Sequence, residues 1–212
     1  MIIKKYKTKI KKPTLVAIVL VAVFAVFQVL EFSDGAVDTV TLSLTVNEAL
    51  ALDCGANVNI SGSFTPGTPA YNSSTCTVGT NSDDGYYLQV KRDDADTTMD
   101  HSTDASANIT DKTAWNPTGS GNAVTWTGTG LGFSVYASTA TKSTTWWGTG
   151  TACDDALNEY AGFPDAYANI MEHASYSASD TTTSICYKVD TAATQKAGLY
   201  NGTITYQANV TP

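Results

Sequence analysis

Beyond its first forty residues the chain alternates apolar and polar positions more than it does anything else. Val40, Leu42, Leu44 and Val46 share one parity, and Thr39, Thr41, Ser43, Thr45 and Asn47 the other, which predicts a half-buried strand. The same parity runs on through Leu50, Leu52 and Cys54, then Val58, Ile60 and Phe64. Further strands are expected at Tyr86, Leu88 and Val90, at Val124 and Trp126, at Leu131, Phe133 and Val135, and at Ile185, Tyr187 and Val189. The cleanest is the last, with Tyr200, Ile204, Tyr206, Ala208 and Val210 on one face and Asn201, Thr203, Thr205, Gln207 and Asn209 on the other. Turn residues separate these runs at Pro66-Gly67, Asn81 to Gly85, Asn116 to Gly121 and Ala197-Gly198. Within 154–173 one short helix is expected, around Asp154 to Tyr160. Short strands with regular turns predict an all-β domain over residues 37–212, an immunoglobulin-like or jelly-roll-like β-sandwich.

One segment breaks the alternation. Residues 14–32 read TLVAIVLVAVFAVFQVLEF, interrupted only by Gln28 and Glu31. As a helix at ~1.5 Å per residue it spans ~28 Å, close to the hydrocarbon thickness of a bilayer. Before it stand Lys4, Lys5, Lys7, Lys9, Lys11 and Lys12, with no acid among them. A basic leader over 1–13 stays cytoplasmic by the positive-inside rule, so all that follows the apolar segment is extracytoplasmic. Two fates fit. The segment is an uncleaved anchor, giving a single-pass protein bound to the membrane through residues 14–32. Alternatively it is a signal helix removed near Ser33-Asp34-Gly35, giving a secreted or cell-surface product.

Charge sharpens this division. From Glu31 onward there are twenty acids against six basic residues. That balance excludes nucleic acid as a partner, since phosphate binding needs a basic footprint. Cys54, Cys76, Cys153 and Cys186 fall on the translocated side, where thiols oxidise. Of the three possible connectivities, Cys54 with Cys76 and Cys153 with Cys186 is favoured, because each pair is local and brackets one loop. Cys186 has the parity opposite to Ile185, Tyr187 and Val189, so its bridge should pin the 145–165 region onto the outside of a sheet.

Motifs for bond chemistry are missing: no His-Glu-x-x-His, no Gly-x-Ser-x-Gly and no phosphate loop occurs. No enzyme activity, cofactor or metal is expected. Asp93, Asp94, Asp96, Asp100 and Asp104 form an acidic stretch that departs from the calcium-loop pattern and reads as solvated. The aromatics are the stronger lead. Trp146 and Trp147 are adjacent, and neighbours on a strand face opposite sides, so one of them should be partly exposed. Together with Trp115 they are the candidate ligand-binding residues, since an exposed indole can stack on a sugar or anchor a protein partner. Asn59, Asn72, Asn108, Asn201 and Asn209 begin glycosylation triplets, of the number that an Asn- and Thr-rich chain makes by chance.

Ser74-Thr75-Cys76-Thr77-Val78-Gly79-Thr80-Asn81, followed by Gly85-Tyr86-Tyr87-Leu88-Gln89-Val90, resembles the signature of a group of small Thr-rich surface proteins from candidate-phyla bacteria with reduced genomes. Trp147 to Gly150, Tyr160 to Pro164, and the run from Asp180 through Tyr187-Lys188-Val189 to Tyr206 fit the same group. The resemblance implies an exported β-sandwich and brings no catalytic residues. The resulting expectation is a non-enzymatic surface protein, acting in adhesion or as a subunit of a surface structure. Its partners would be a surface glycan, another protein or further copies of itself. The alternative is a carbohydrate-binding module using its tryptophans, with a secreted hydrolase a distant third.

Overall fold

A computed structural model describes residues 41–55, 57–60, 65–93 and 98–211. The basic leader over 1–13, the apolar segment over 14–32, the cleavage site, Val40, Phe64, Asp94 and Asp96 lie outside the described residues. Among those described, no helix is long and apolar enough to cross a membrane. The chain divides into two units, Met1–Thr45 and Val46–Pro212. The second is all-β.

Its main sheet is antiparallel, in the order β1 (Leu50–Cys54), β2 (Ala70–Thr80), β10 (Thr181–Asp190), β7 (Gly130–Ser138). A second antiparallel sheet holds β12 (Ile204–Val210), β3 (Tyr86–Arg92) and β9 (Ala168–His173). Smaller ladders join β11 (Tyr200–Asn201), β4 (Thr98–His101) and β5 (Ile109–Thr110), and pair β6 (Val124–Thr125) with β8 (Glu159–Tyr160). The sole helix among the described residues is α1, Thr144–Trp147, capped by the Ser143 hydroxyl.

The core lies between the two large sheets, so the domain is a β-sandwich. Period-2 alternation builds it as expected in β3, where Tyr86, Leu88 and Val90 are buried and Tyr87 and Gln89 are not. Val78 of β2 and Ile185, Tyr187 and Val189 of β10 close over them. β9 breaks the alternation: Ile170 and Met171 are both buried. A register shift between Leu88 and Gln89 leaves Ile170 as an extra residue, and this bulge turns two successive side chains inward.

Hydroxyls cross the core where it meets the sheet edges. Tyr86 of β3 bonds to Thr181 of β10, and Tyr187 of β10 bonds to Tyr206 of β12 at 2.8 Å and to Ser74 at 2.7 Å. Arg92 and Asp111 form a buried pair at 2.5 Å, with side-chain exposures of 1% and 0%. The Arg92 guanidinium also lies 5.2 Å from the centre of the Phe163 ring.

Three expectations are corrected. Residues 41–49 form no strand, and Leu42 and Leu44 are exposed. They alternate correctly, but none of the described strands pairs with them. The segment around Asp154 to Tyr160 is turns leading into β8, with no helix: the Asp155 carboxylate accepts from the backbone amides of Thr151 and Leu157, which closes a turn. The last run is two strands, because residues 202–203 break it: β11 pairs with β4, while β12 pairs with β3.

Burial raises the pKa of the Tyr86, Tyr187 and Tyr206 phenols above the ordinary value of 10.0. These groups stay protonated in the folded state at pH values where the unfolded chain has released its protons. Stability is therefore fully present below pH 10 and falls as pH rises beyond it. In an alkaline titration these phenols should ionise late, together with loss of the fold; ultraviolet absorbance of tyrosinate followed beside circular dichroism reads both events. Asp111→Asn should lower unfolding free energy by about 3–5 kcal/mol, because it strands a buried guanidinium. A drop in the urea midpoint at unchanged slope is the expected result.

Candidate functional site

The cysteines pair as Cys54–Cys76 and Cys153–Cys186. The first bridge joins directly opposed residues of β1 and β2 on the core side. The second lies on the other face of the same sheet. Cys186 is fully buried yet outside the hydrophobic core, because the chain around Cys153 covers it. Tyr160 helps hold that cover, its hydroxyl donating to the Cys153 carbonyl at 3.0 Å.

The candidate tryptophans come together, but mostly inside. Trp147 is 0% exposed and Trp115 3%. Their rings lie 4.3 Å apart, and Trp115 also meets Trp146 edge-on at 5.5 Å. Both buried indoles donate to the backbone of β9: Trp115 Nε1 to the Asn169 carbonyl at 2.7 Å, and Trp147 Nε1 to that of Ile170 at 2.9 Å. Trp115 and Trp147 are thus packing residues and offer no stacking face, which corrects their reading as ligand contacts. The adjacent pair sits on α1, not on a strand, so helical geometry decides which ring goes inward. Trp146 is half-buried, its Nε1 donating to the Gly119 carbonyl at 3.3 Å. Gly121 lets the 116–122 loop close on this cluster. Its φ is 74°, and a Cβ there would stand 2.3 Å from the Trp115 ring.

A second aromatic group escaped the sequence reading because its members are scattered along the chain. Trp126 lies across the outer face of β7 over Gly132, where a Cβ would come within 3.1 Å of the indole. Lys112 Nζ sits 4.4 Å from the centre of its ring and Lys188 Nζ 5.4 Å, with Lys188 also 5.0 Å from the Tyr160 ring. Two of the six basic residues after Glu31 converge here. Desolvation lowers the pKa of both ammonium groups, opposed at Lys112 by the charge of Asp190. The result is a half-buried indole flanked by cations, on a domain that is acidic elsewhere.

The remaining sequence candidates have structural partners. His101 stands edge-on to Tyr200 at 5.0 Å, and His173 stacks on Tyr86 at 5.8 Å. Asp93 accepts from the Thr205 hydroxyl, Asp100 from that of Thr98, and Asp104 from Lys196 at 2.6 Å. Lys196 and Ser106 hold the Asp104 carboxyl well below the usual carboxylate range. Among the described residues no group of three His, Cys, Asp or Glu is placed to hold a metal ion.

The two sides of the sandwich are sealed unequally. On one, β7 is covered on both faces from Gly130 to Val135, and β9 buries Ile170 and Met171. On the other, β1 lies against β12, and Leu50, Leu52, Cys54, Ile204, Tyr206 and Ala208 are only partly buried. β12 has one neighbour, β3, among the described residues. Its seven residues carry no charge. No family model matches the chain, and no curated protein matches it.

The tryptophans should separate by mutation. Trp147→Ala is expected to cost about 3–5 kcal/mol of unfolding free energy, whereas Trp146→Ala costs less than half of that. Chemical denaturation of the two variants measures the difference.

Proposed function

We propose that this chain is a non-enzymatic extracytoplasmic protein, displayed at the cell surface, that works by binding: as a subunit of a surface structure or in adhesion. The observation that carries the reading is the double cross-linking of one sheet. One disulfide closes the core side of the sheet at β1 and the other fastens a covering loop on the opposite side. Such bridges persist in oxidising compartments and suit a domain that faces the environment. Both histidines, with Asp93, Asp100 and Asp104, make contacts that hold loops and strands, which supports a scaffold over a catalyst. The sandwich is of the immunoglobulin-like or jelly-roll-like kind. The apolar segment over 14–32 delivers it, either as an anchor with the lysine-rich end in the cytoplasm or as a signal that is removed. The resemblance to Thr-rich surface proteins of candidate-phyla bacteria agrees with this assignment.

A carbohydrate-binding role is the second reading, and the cluster of Trp126, Lys112 and Lys188 favours it. An indole flanked by ammonium groups suits a sugar ring that carries a carboxylate.

Protease and thiol-alkylating reagent applied to intact cells of the native host test the first reading. The domain should be cleaved from outside, and all four cysteines should resist alkylation until a reductant is added. Deleting the chain should alter attachment or the surface ultrastructure seen by electron microscopy. Cytosolic recovery with free thiols, or unchanged attachment and ultrastructure, would sink it. For the second reading, a glycan array should show binding to acidic sugars that falls at least tenfold in Trp126→Ala; no binding, or binding indifferent to Trp126, removes it.

A further inference from the structure

Among the described residues the chain carries a strand-like pattern that joins no sheet, and a sheet edge that no strand covers. Leu42, Leu44 and Val46 are 91%, 88% and 71% exposed, although they alternate with Thr41, Ser43 and Thr45 as a half-buried strand does. Single exposed aliphatics are ordinary, but three at alternate positions of one segment make a strand pattern that no described strand pairs with. On the open side of the sandwich no described strand lies beyond β12. Natural edge strands are normally guarded by lysine, proline or a bulge. β12 has none of these guards, and its register with β3 is continuous over all seven residues.

Residues 47–49 are fixed at the entrance to β1. The Asn81 side chain donates to the Asn47 carbonyl at 3.0 Å and accepts from the Ala49 amide, while the Ser82 hydroxyl donates to Glu48 at 2.9 Å. Residues 47–49 therefore run beside Thr80–Ser82 and enter β1 without a turn. A turn within 47–49, back toward β12 of the same chain, would break those bonds.

We infer that residues 41–46 of one copy add as a strand to the free edge of β12 in a second copy. The chemistry of the two strands matches. Leu42, Leu44 and Val46 would cover the half-buried seam between β1 and β12, with Thr41, Ser43 and Thr45 continuing the outer row of Thr205, Gln207 and Asn209. Neither strand carries a charge, so two copies that are each strongly acidic meet through the stretches where their repulsion is weakest. The main-chain bonds of strand addition supply affinity, and the alternate aliphatics supply register. Because each copy donates one segment and offers one edge, the contact is head-to-tail and propagates into a filament unless it closes as a ring. This deepens the reading as a surface-structure subunit and rests on it.

Hydrogen exchange on the full chain in detergent, read by mass spectrometry over residues 41–46 at increasing protein concentration, tests it. At high concentration these amides should exchange on the order of 100-fold more slowly than after dilution. A Leu42→Asp/Leu44→Asp variant, altered only at exposed positions, should lose that protection and still bind a labelled synthetic peptide of residues 40–47 through its vacant β12. Exchange at the unstructured rate at every concentration overturns the inference, as does protection that ignores dilution or a variant that fails to bind the peptide. Those outcomes leave surface display and attachment, which the intact-cell experiment reads separately, untouched.

Discussion

Strand β10 is the constraint on which the rest of the domain depends. It is hydrogen-bonded on both edges, to β2 and to β7, and its inward face is buried from end to end. Its inward side supplies Ile185, Tyr187 and Val189 to the core, and its outward side carries Cys186 and Lys188. With a strand on each edge, its backbone polar groups are met by protein. The two ladders do this for the main chain. Thr181 and Tyr187 do it for side chains, by bonding to hydroxyls of the opposite sheet. The loop from 153 to 160 exists in its present form because the outer face of this strand has to be covered.

That covering explains where reading the sequence succeeds and where it fails. Alternation with one wet face reveals β3, β10 and β12 directly, since a period of two survives in the residue pattern. It also places Cys54 toward the core and Cys186 away from it. β2 is harder to see: its eleven residues, AYNSSTCTVGT, are largely polar, and only Cys76 and Val78 are buried. Pairing on both edges makes it a strand, and pairing leaves no mark on one strand taken alone. β9 hides for a different reason, because its bulge breaks the period that would reveal it.

The aromatic residues teach the same lesson about sites. Adjacency of Trp146 and Trp147 suggests opposite faces only if the backbone is extended, and α1 removes that premise. Trp126, Lys112, Tyr160 and Lys188 share no motif and no local spacing. They meet because β7 and β10 are neighbours and because Gly132 leaves room for an indole. A cluster assembled by strand order is invisible before strand order is known. Residues 41–46 are the reverse case, where the alternation is plain and the described domain provides no partner to explain it.

The bridge between Cys54 and Cys76 has a mechanical consequence. Any tension arriving along the chain through residue 49 enters the sandwich at β1, a five-residue edge strand that hydrogen bonds alone would let unzip one pair at a time. The covalent link at the far end of that strand stops the unzipping at Cys54 and hands the load to β2. From there it spreads in shear across the long ladder with β10. Pulling on this domain from its N-terminal side therefore loads the four-stranded sheet as a unit, and not β1 alone.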